Sequence, residues 1–330
     1  MKMSIENRTP SPDTQRYQLS GETMGTRYTA LFYGAAQLDT QTVKGRLAAS
    51  VARVDQQMSN WKTDSDLNRL NAAPAHQWFD IPKELVSVLC TALQVSRQSH
   101  GAFEISVGNL VQAWGFGPAD APQDSSSLKA LQQAPRTWAS RALQVDPVRQ
   151  RVFKHEALRL DLNGIAKGFA VDELAHCLEG LGITAYLVGI DGEMRARGLK
   201  PDGQAWCVAI EKPKRGVREV MGVMELSDAA IATSGDYRHW VDIAGQSYAH
   251  TMDPVAAAPL RNRLAAVTVV ASTCMLADAW ATALMVLGEQ EGPRLAQASG
   301  MDAVFVVRDG EHFREIAIVA GQRQTHIETR

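Results

Sequence analysis

Asp278 and Thr282 stand four residues apart in Ala277-Asp278-Ala279-Trp280-Ala281-Thr282, a run of helix-forming residues. On a helix that spacing puts a carboxylate and a hydroxyl on one face. Two hard oxygens so placed suit Mg²⁺, which completes its shell with water and substrate phosphate. A side-chain to side-chain hydrogen bond would satisfy the same spacing. Lys167 lies in Asp161-Leu162-Asn163-Gly164-Ile165-Ala166-Lys167-Gly168, where a strand hands over to a helix. There Asn163 can cap the helix, Gly164 lets backbone approach a ligand, and the first-turn amides favour an anion. A lysine in a first turn opposes the helix dipole, which hints at a phosphate; a solvated lysine beside an ordinary cap is the plain alternative.

Three further groups carry polar or flat-ring chemistry. Ala232-Thr233-Ser234-Gly235-Asp236 follows a strand directly, and Tyr248-Ala249-His250-Thr251-Met252-Asp253-Pro254 sets a histidine beside an acid and a proline-fixed turn. A histidine there could move a proton, although a lone histidine is more often structural. Gly101-Ala102-Phe103-Glu104 leads to Trp114-Gly115-Phe116-Gly117, which reads either as a flat-ring pocket or as loop anchors. Trp61, among Ser59, Asn60, Lys62 and Asp64, has little local core to join, and stacking on a ligand would use it.

The elements that must position these groups follow from periodicity. Residues 41–57 are amphipathic at helical spacing through Val43, Leu47, Val51 and Val54, and a short helix capped by Ser65 or Asp64 runs to Leu70. Residues 82–99 and 165–181 read as helices, as do 275–288 and 291–299. Strands are expected on either side of a turn at 24–26, at 158–162, 185–190, 267–271, 303–307 and 314–319. Residues 1–15 read as a disordered polar tail and 115–125 as a surface loop. A helix, a strand and Asp-Gly-Glu recur at 165–193 and 275–311, consistent with a duplicated α+β unit or with chance. The mix predicts mostly antiparallel sheets with flanking helices.

Bulk properties set limits. The 330 residues carry a net charge of −2 and are 45% hydrophobic, which suits one two-lobed body and argues against a nucleic-acid surface. The four cysteines, at 90, 177, 207 and 274, have no metal or redox spacing and read as reduced structural residues. No apolar run is long enough for a membrane span, and the polar N-terminus has neither an apolar h-region nor a lipidation cysteine. The expected location is cytoplasmic, or periplasmic if the chain has been trimmed of a leader. The oligomeric state is not readable.

Taken in order, these motifs, together with Glu22-Thr23-Met24-Gly25-Thr26, Met58-Ser59-Asn60-Trp61 and Ser247-Tyr248-Ala249-His250, resemble the ApbE family, the FAD:protein FMN transferases, over roughly residues 20 to 320. The resemblance implies a duplicated, T-fold-like α+β body over residues 16–330, with a flavin cleft between two intimately packed lobes. It implies FAD as substrate, Mg²⁺ as cofactor, and an acceptor flavoprotein that receives FMN on a threonine or serine. By position it implies FAD contacts at Met24, Trp61, Ala102, Phe103, Glu104, Asp161, Lys167, Thr233 and Met252. Mg²⁺ would sit at Gly164 (through its carbonyl), Asp278 and Thr282. His250, or Asp236 nearby, would take the acceptor proton.

The chain departs from the family pattern in places. After Asp253-Pro254 the usual Arg-Thr-Gly is replaced by Val255-Ala256-Ala257, the usual Asp after Gly-x-x is Glu104, its Pro neighbour is Ile105, and a Gly-Gly pair reads Asp191-Gly192. Two other activities fit the same groups: an FAD pyrophosphatase giving FMN and AMP, and a non-catalytic FAD-binding protein.

Overall fold

The chain opens with β1 (Thr14–Thr23) and β2 (Thr26–Ala35), paired antiparallel around a two-residue turn. Met24 and Gly25 both hold positive φ, 46° and 72°, the backbone hand that lets two twisted strands fold back tightly. The structure, a computed structural model, describes residues 14–118, 125–238, 240–243, 245–310 and 312–324. The tail expected over 1–15 lies outside the described residues up to 13, whereas Thr14 and Gln15 already pair with Ala35 and Gly34. The 115–125 loop falls partly outside them as well.

α1 (Thr40–Met58) is capped by Asp39 and buries Val43, Leu47, Val51 and Val54, the stripe its spacing predicts. α2 (Asp66–Ala72) begins where Ser65 accepts from the Asn68 amide at 3.0 Å. β3 (Trp78–Asp80), α3 (Lys83–Gln98), α4 (Gly108–Ala113), α5 (Ser125–Gln133), α6 (Ala139–Ala142), β4 (Leu143–Asp146) and β5 (Arg151–Lys154) follow, with a small sheet in the order β3-β5-β4. α7 (Ala166–Glu179) leads into the hairpin of β6 (Ala185–Ile190) and β7 (Glu193–Arg197). β8 (Trp206–Glu211) and β9 (Val220–Leu226) form a separate hairpin before β10 (Ala229–Gly235). Short hairpins β11 (Trp240–Ile243) with β12 (Gln246–Ala249) and β13 (Met252–Asp253) with β14 (Ala258–Pro259) precede β15 (Leu264–Ala271). α8 (Cys274–Ala298), β16 (Asp302–Asp309), β17 (His312–Val319) and β18 (Gln322–Arg323) complete the fold.

The main sheet has the order β1-β2-β6-β7-β10-β15-β16-β17-β18, with antiparallel pairing throughout. An antiparallel strand pair, a helix and a hairpin occur twice, as β1-β2, α7, β6-β7 and as β10-β15, α8, β16-β17. The weak Asp-Gly-Glu repeat marks the hairpin after the helix in each half. β7 and β10 join the halves. α7 and α8 lie on one face of the sheet and pack together. The opposite face is covered by β8–β9, whose Trp206, Val208 and Leu226 meet Leu187, Met194, Ile231 and Val270.

Two local expectations are corrected and a third holds. Residues 158–162 are extended but form no strand. Their partners are loop backbone and a side chain: Asp161 N–H donates to Ile105 O (2.8 Å), and Leu160 N–H to Asn71 Oδ1 (2.7 Å). Asn163 does not cap α7, because its amide and side chain both turn back onto Asp161, and Ile165 holds the cap position. The two helices expected after residue 274 are present: α8 is two helical segments that meet at Gly288, whose φ of 78° is non-helical.

Candidate active site

α7 and α8 meet at their beginnings, and most of the chemistry sits there. The Gly168 N–H donates to Asp278 Oδ2 at 2.9 Å. A Cβ built on Gly164 would stand 3.0 Å from Thr282 Oγ1 and 3.3 Å from the Phe103 ring, so the bare glycine backbone lies against that hydroxyl. Ser234 Oγ is 3.1 Å from the same Thr282 oxygen. Lys167 donates to Glu193 Oε1 at 2.7 Å and lies 4.0 Å from Asp191, whose other oxygen accepts from Thr26 at 2.6 Å. The turn carrying Met24, the β6–β7 turn and the start of α7 are thereby tied at one end of the sheet.

Burial dominates the electrostatics. Asp278 is 4% exposed, and burial, then the Glu193 carboxylate, push it up to about 7 against Lys167 and the Gly168 amide. Burial alone would lower Lys167, but Glu193, Asp278 and Asp191 together raise it. The second oxygen of Glu193 is buried without a hydrogen-bond partner. Carboxylates sealed from water in this way are costly unless a cation joins them.

The residues present fit Mg²⁺. One carboxylate, one hydroxyl and a glycine carbonyl from the facing starts of α7 and α8 are all hard oxygen donors of the kind Mg²⁺ takes. Among the described residues no cluster of three or more His, Cys, Asp or Glu suits a metal, as expected where only one donor is a carboxylate.

At Asn163 a shallow, open cleft is lined by Trp61, Phe116, Arg159 and Asp161, among others. Trp61 is 64% exposed, so its ring has a free face. Asp161 accepts from Asn60 Nδ2 at 2.8 Å and from the Asn163 amide at 2.9 Å. Burial pushes it up to about 6 against those bonds and Arg159. Ala102 and Phe103 are buried. Glu104 accepts from the Ser106 and Ala139 amides (2.8 and 3.1 Å), burial raises its pKa, and its other oxygen lies without a partner at a second cleft that shares Arg159. Trp114 is a loop anchor: it packs on Tyr248 and donates to Ala257 O at 3.3 Å. Phe116 reaches His250 with ring centroids 6.4 Å apart, and Met252 is buried two residues on.

Two predicted site residues have partners elsewhere. Thr233 shares its strand face with Ile231 under β8–β9, and its hydroxyl bonds Thr268 at 2.9 Å. The next residue, Ser234, faces Thr282 instead, because successive strand side chains alternate. Asp236 accepts from the Arg308 guanidinium through both oxygens, a charge-assisted ion pair that holds the carboxylate away from a free position. Ser234 and Glu193 were missed. Strand parity against α8 would have found Ser234; Glu193 had only its position in the repeat.

The loop that lacks Arg-Thr-Gly is nevertheless well formed. Asp253 Oδ1 accepts from Val255 N (2.8 Å) and Ala256 N (2.9 Å), and Ala257 takes φ 52° at the place of the family's glycine.

Fold and site together define a duplicated antiparallel α+β protein in which Lys167, Glu193 and Asp278 gather near Thr282 where its two halves meet. The chain belongs to the ApbE family, whose sequence profile matches residues 24–305. A Vibrio cholerae protein named FAD:protein FMN transferase is 36% identical over 304 residues, covering 92% of this chain and 91% of that one. One of the same name from Klebsiella pneumoniae is 32% identical over 307 residues, covering 92% and 88%. The apo Pseudomonas stutzeri flavinyl transferase ApbE superposes with TM-score 0.82 at 35% identity, covering 93% of this chain and 96% of that one. Among the described residues no helix is long and apolar enough to cross a membrane.

Proposed function

We propose that this chain transfers the FMN half of FAD to a threonine or serine hydroxyl of an acceptor protein and releases AMP. The observation that carries this reading is that the start of α7 lies against α8, with the Gly168 amide on Asp278, Lys167 paired to Glu193, and the bare Gly164 backbone against Thr282, one residue from Asn163 of the Trp61 cleft. The names of the relatives support the same activity. The shared sheet supports reading residues 16–330 as one body of two lobes.

The acceptor oxygen bonds the FMN phosphorus as the bond from that phosphorus to the AMP phosphate breaks. AMP leaves with the electron pair, and the hydroxyl proton passes to a base. Mg²⁺, when bound, supplies charge neutralisation on the diphosphate. Asp278, Thr282 and the Gly164 carbonyl would hold it. Lys167 holds phosphate charge from the other side, and Glu193 keeps the ammonium aimed. Trp61 stacks on the isoalloxazine, while Met24, Ala102, Phe103, Glu104, Asp161 and Met252 shape the remaining FAD contacts. His250, held against Phe116, takes the proton. Asp236 and Thr233 have no part in this scheme.

Incubating the protein with FAD and Mg²⁺, with and without a candidate acceptor, tests it. Flavin fluorescence on the acceptor in a denaturing gel is the expected result. AMP and free FMN without labelled acceptor would instead make the protein a pyrophosphatase, and bound FAD without AMP a carrier.

A further inference from the structure

α8 carries Asp278 and Thr282, whereas Gly164 and Lys167 belong to the start of α7. The register of one helix on the other therefore sets the spacing of the site. That contact is made at two points. On α7, Gly168 and Asp172 are four residues apart and share a face; on α8, Cys274 and Asp278 do the same. Gly168 meets Asp278 through its amide at 2.9 Å. One turn along, Asp172 Oδ1 accepts from the Cys274 amide and Oδ2 from the Met275 amide, both at 2.9 Å. The backbones touch between these points, since a Cβ on Gly168 would fall 2.4 Å from Cys274 O.

Asp172 is more than a helix cap. α8 already has its own cap, Thr273, which accepts from the Leu276 amide at 3.3 Å. Asp172 reaches across from another helix, is 3% exposed, and is itself gripped by Arg195 of β7 at 2.7 Å. One residue of slip along a helix is about 1.5 Å of rise and about 100° of rotation, enough to turn Asp278 away from Gly168. The Gly168 bond alone does not fix that rotation; two bonds one turn away do.

We propose that Asp172, oriented by Arg195, is a positioning residue: it locks the register of α8 on α7 and so presents Asp278 and Thr282 to the divalent cation. It touches no ligand and acts through α8. The inference rests on the metal reading given above.

The test measures Mn²⁺ binding as a probe of the cation site, by the electron paramagnetic resonance signal of the free ion. Asp172→Asn keeps the shape but turns an amide N–H₂ toward a backbone N–H. Mn²⁺ affinity should fall at least tenfold, while FAD affinity in EDTA changes less than twofold. In the Asp278→Asn background the same substitution should add nothing, because both act on one ligand. Arg195→Lys, which retains the charge without the fork, should give a smaller loss in the same direction. It is the readout should Asp172→Asn not fold.

Wild-type protein that binds no Mn²⁺ would overturn the metal reading and this proposal with it. Binding abolished by Asp278→Asn but unchanged within twofold in the folded Asp172 or Arg195 variant would overturn the proposal alone. An equal loss of metal-free FAD affinity would also overturn it, since that marks general loosening rather than register.

Discussion

At Asp278 a single carboxyl carries both a cost and a use. Its pKa rises from the ordinary 3.8 to about 7 on folding. Between those values the folded chain holds a proton that the unfolded chain has lost, so raising the pH through this window lowers stability; above about 7 the contribution is constant. The stability difference between wild type and Asp278→Asn, from urea unfolding without metal, should therefore shift against the wild type from pH 4 to 7 and then level off. Mg²⁺ needs the ionised form, so its apparent affinity should drop about tenfold per pH unit below 7, measured calorimetrically. Ala257 poses a different residue-scale question. It sits at φ 52° with a Cβ that this region disfavours, by roughly 1 kcal/mol relative to glycine. Ala257 is also fully buried beside Trp114 and Met252, so Ala257→Gly relieves that strain but loses a buried methyl worth about 0.8 kcal/mol, and the melting temperature should change little.

Among elements, α7 and α8 depend on the missing side chain at Gly168. Gly168→Ala would drive a methyl into the Cys274 carbonyl and the Asp278 Cβ. The helices must part, at about 1–3 kcal/mol or more, and cation affinity should fall together with the melting temperature. Elements that fold on their own periodicity were legible in the sequence: α1 by its Val43, Leu47, Val51 and Val54 stripe, α3 by Pro82 and Gly101, and β6 by its apolar run. The segment 158–162 has the composition of a strand, but a strand also needs a neighbouring strand, and composition does not report one. Thr233 and Ser234 show the same limit at finer grain. The polar motif was visible, yet which of two adjacent hydroxyls faces the helix depends on strand parity relative to a helix 40 residues later. The metal oxygens were legible through helical spacing and family resemblance together. Glu193 and Asp172 were not, because their partners are 26 and 102 residues distant.

For the whole molecule, the repeated strand pair, helix and hairpin explain why so short a sequence repeat marked something real. The halves share one sheet through β7 and β10, and their helices interlock through Gly168 and Asp172. Such halves should not melt separately. Urea transitions followed by far-UV and near-UV circular dichroism should coincide, and two displaced transitions would show the halves to be independent.

The seam has one more consequence. Gly164 and Lys167 come from the first repeat, and Asp278 and Thr282 from the second. A metal-bound dinucleotide would therefore lie across the junction like a rivet through two plates. Substrate loading and cohesion of the molecule would then be one equilibrium, in which the folded state tightens whenever the nucleotide arrives and relaxes as AMP departs.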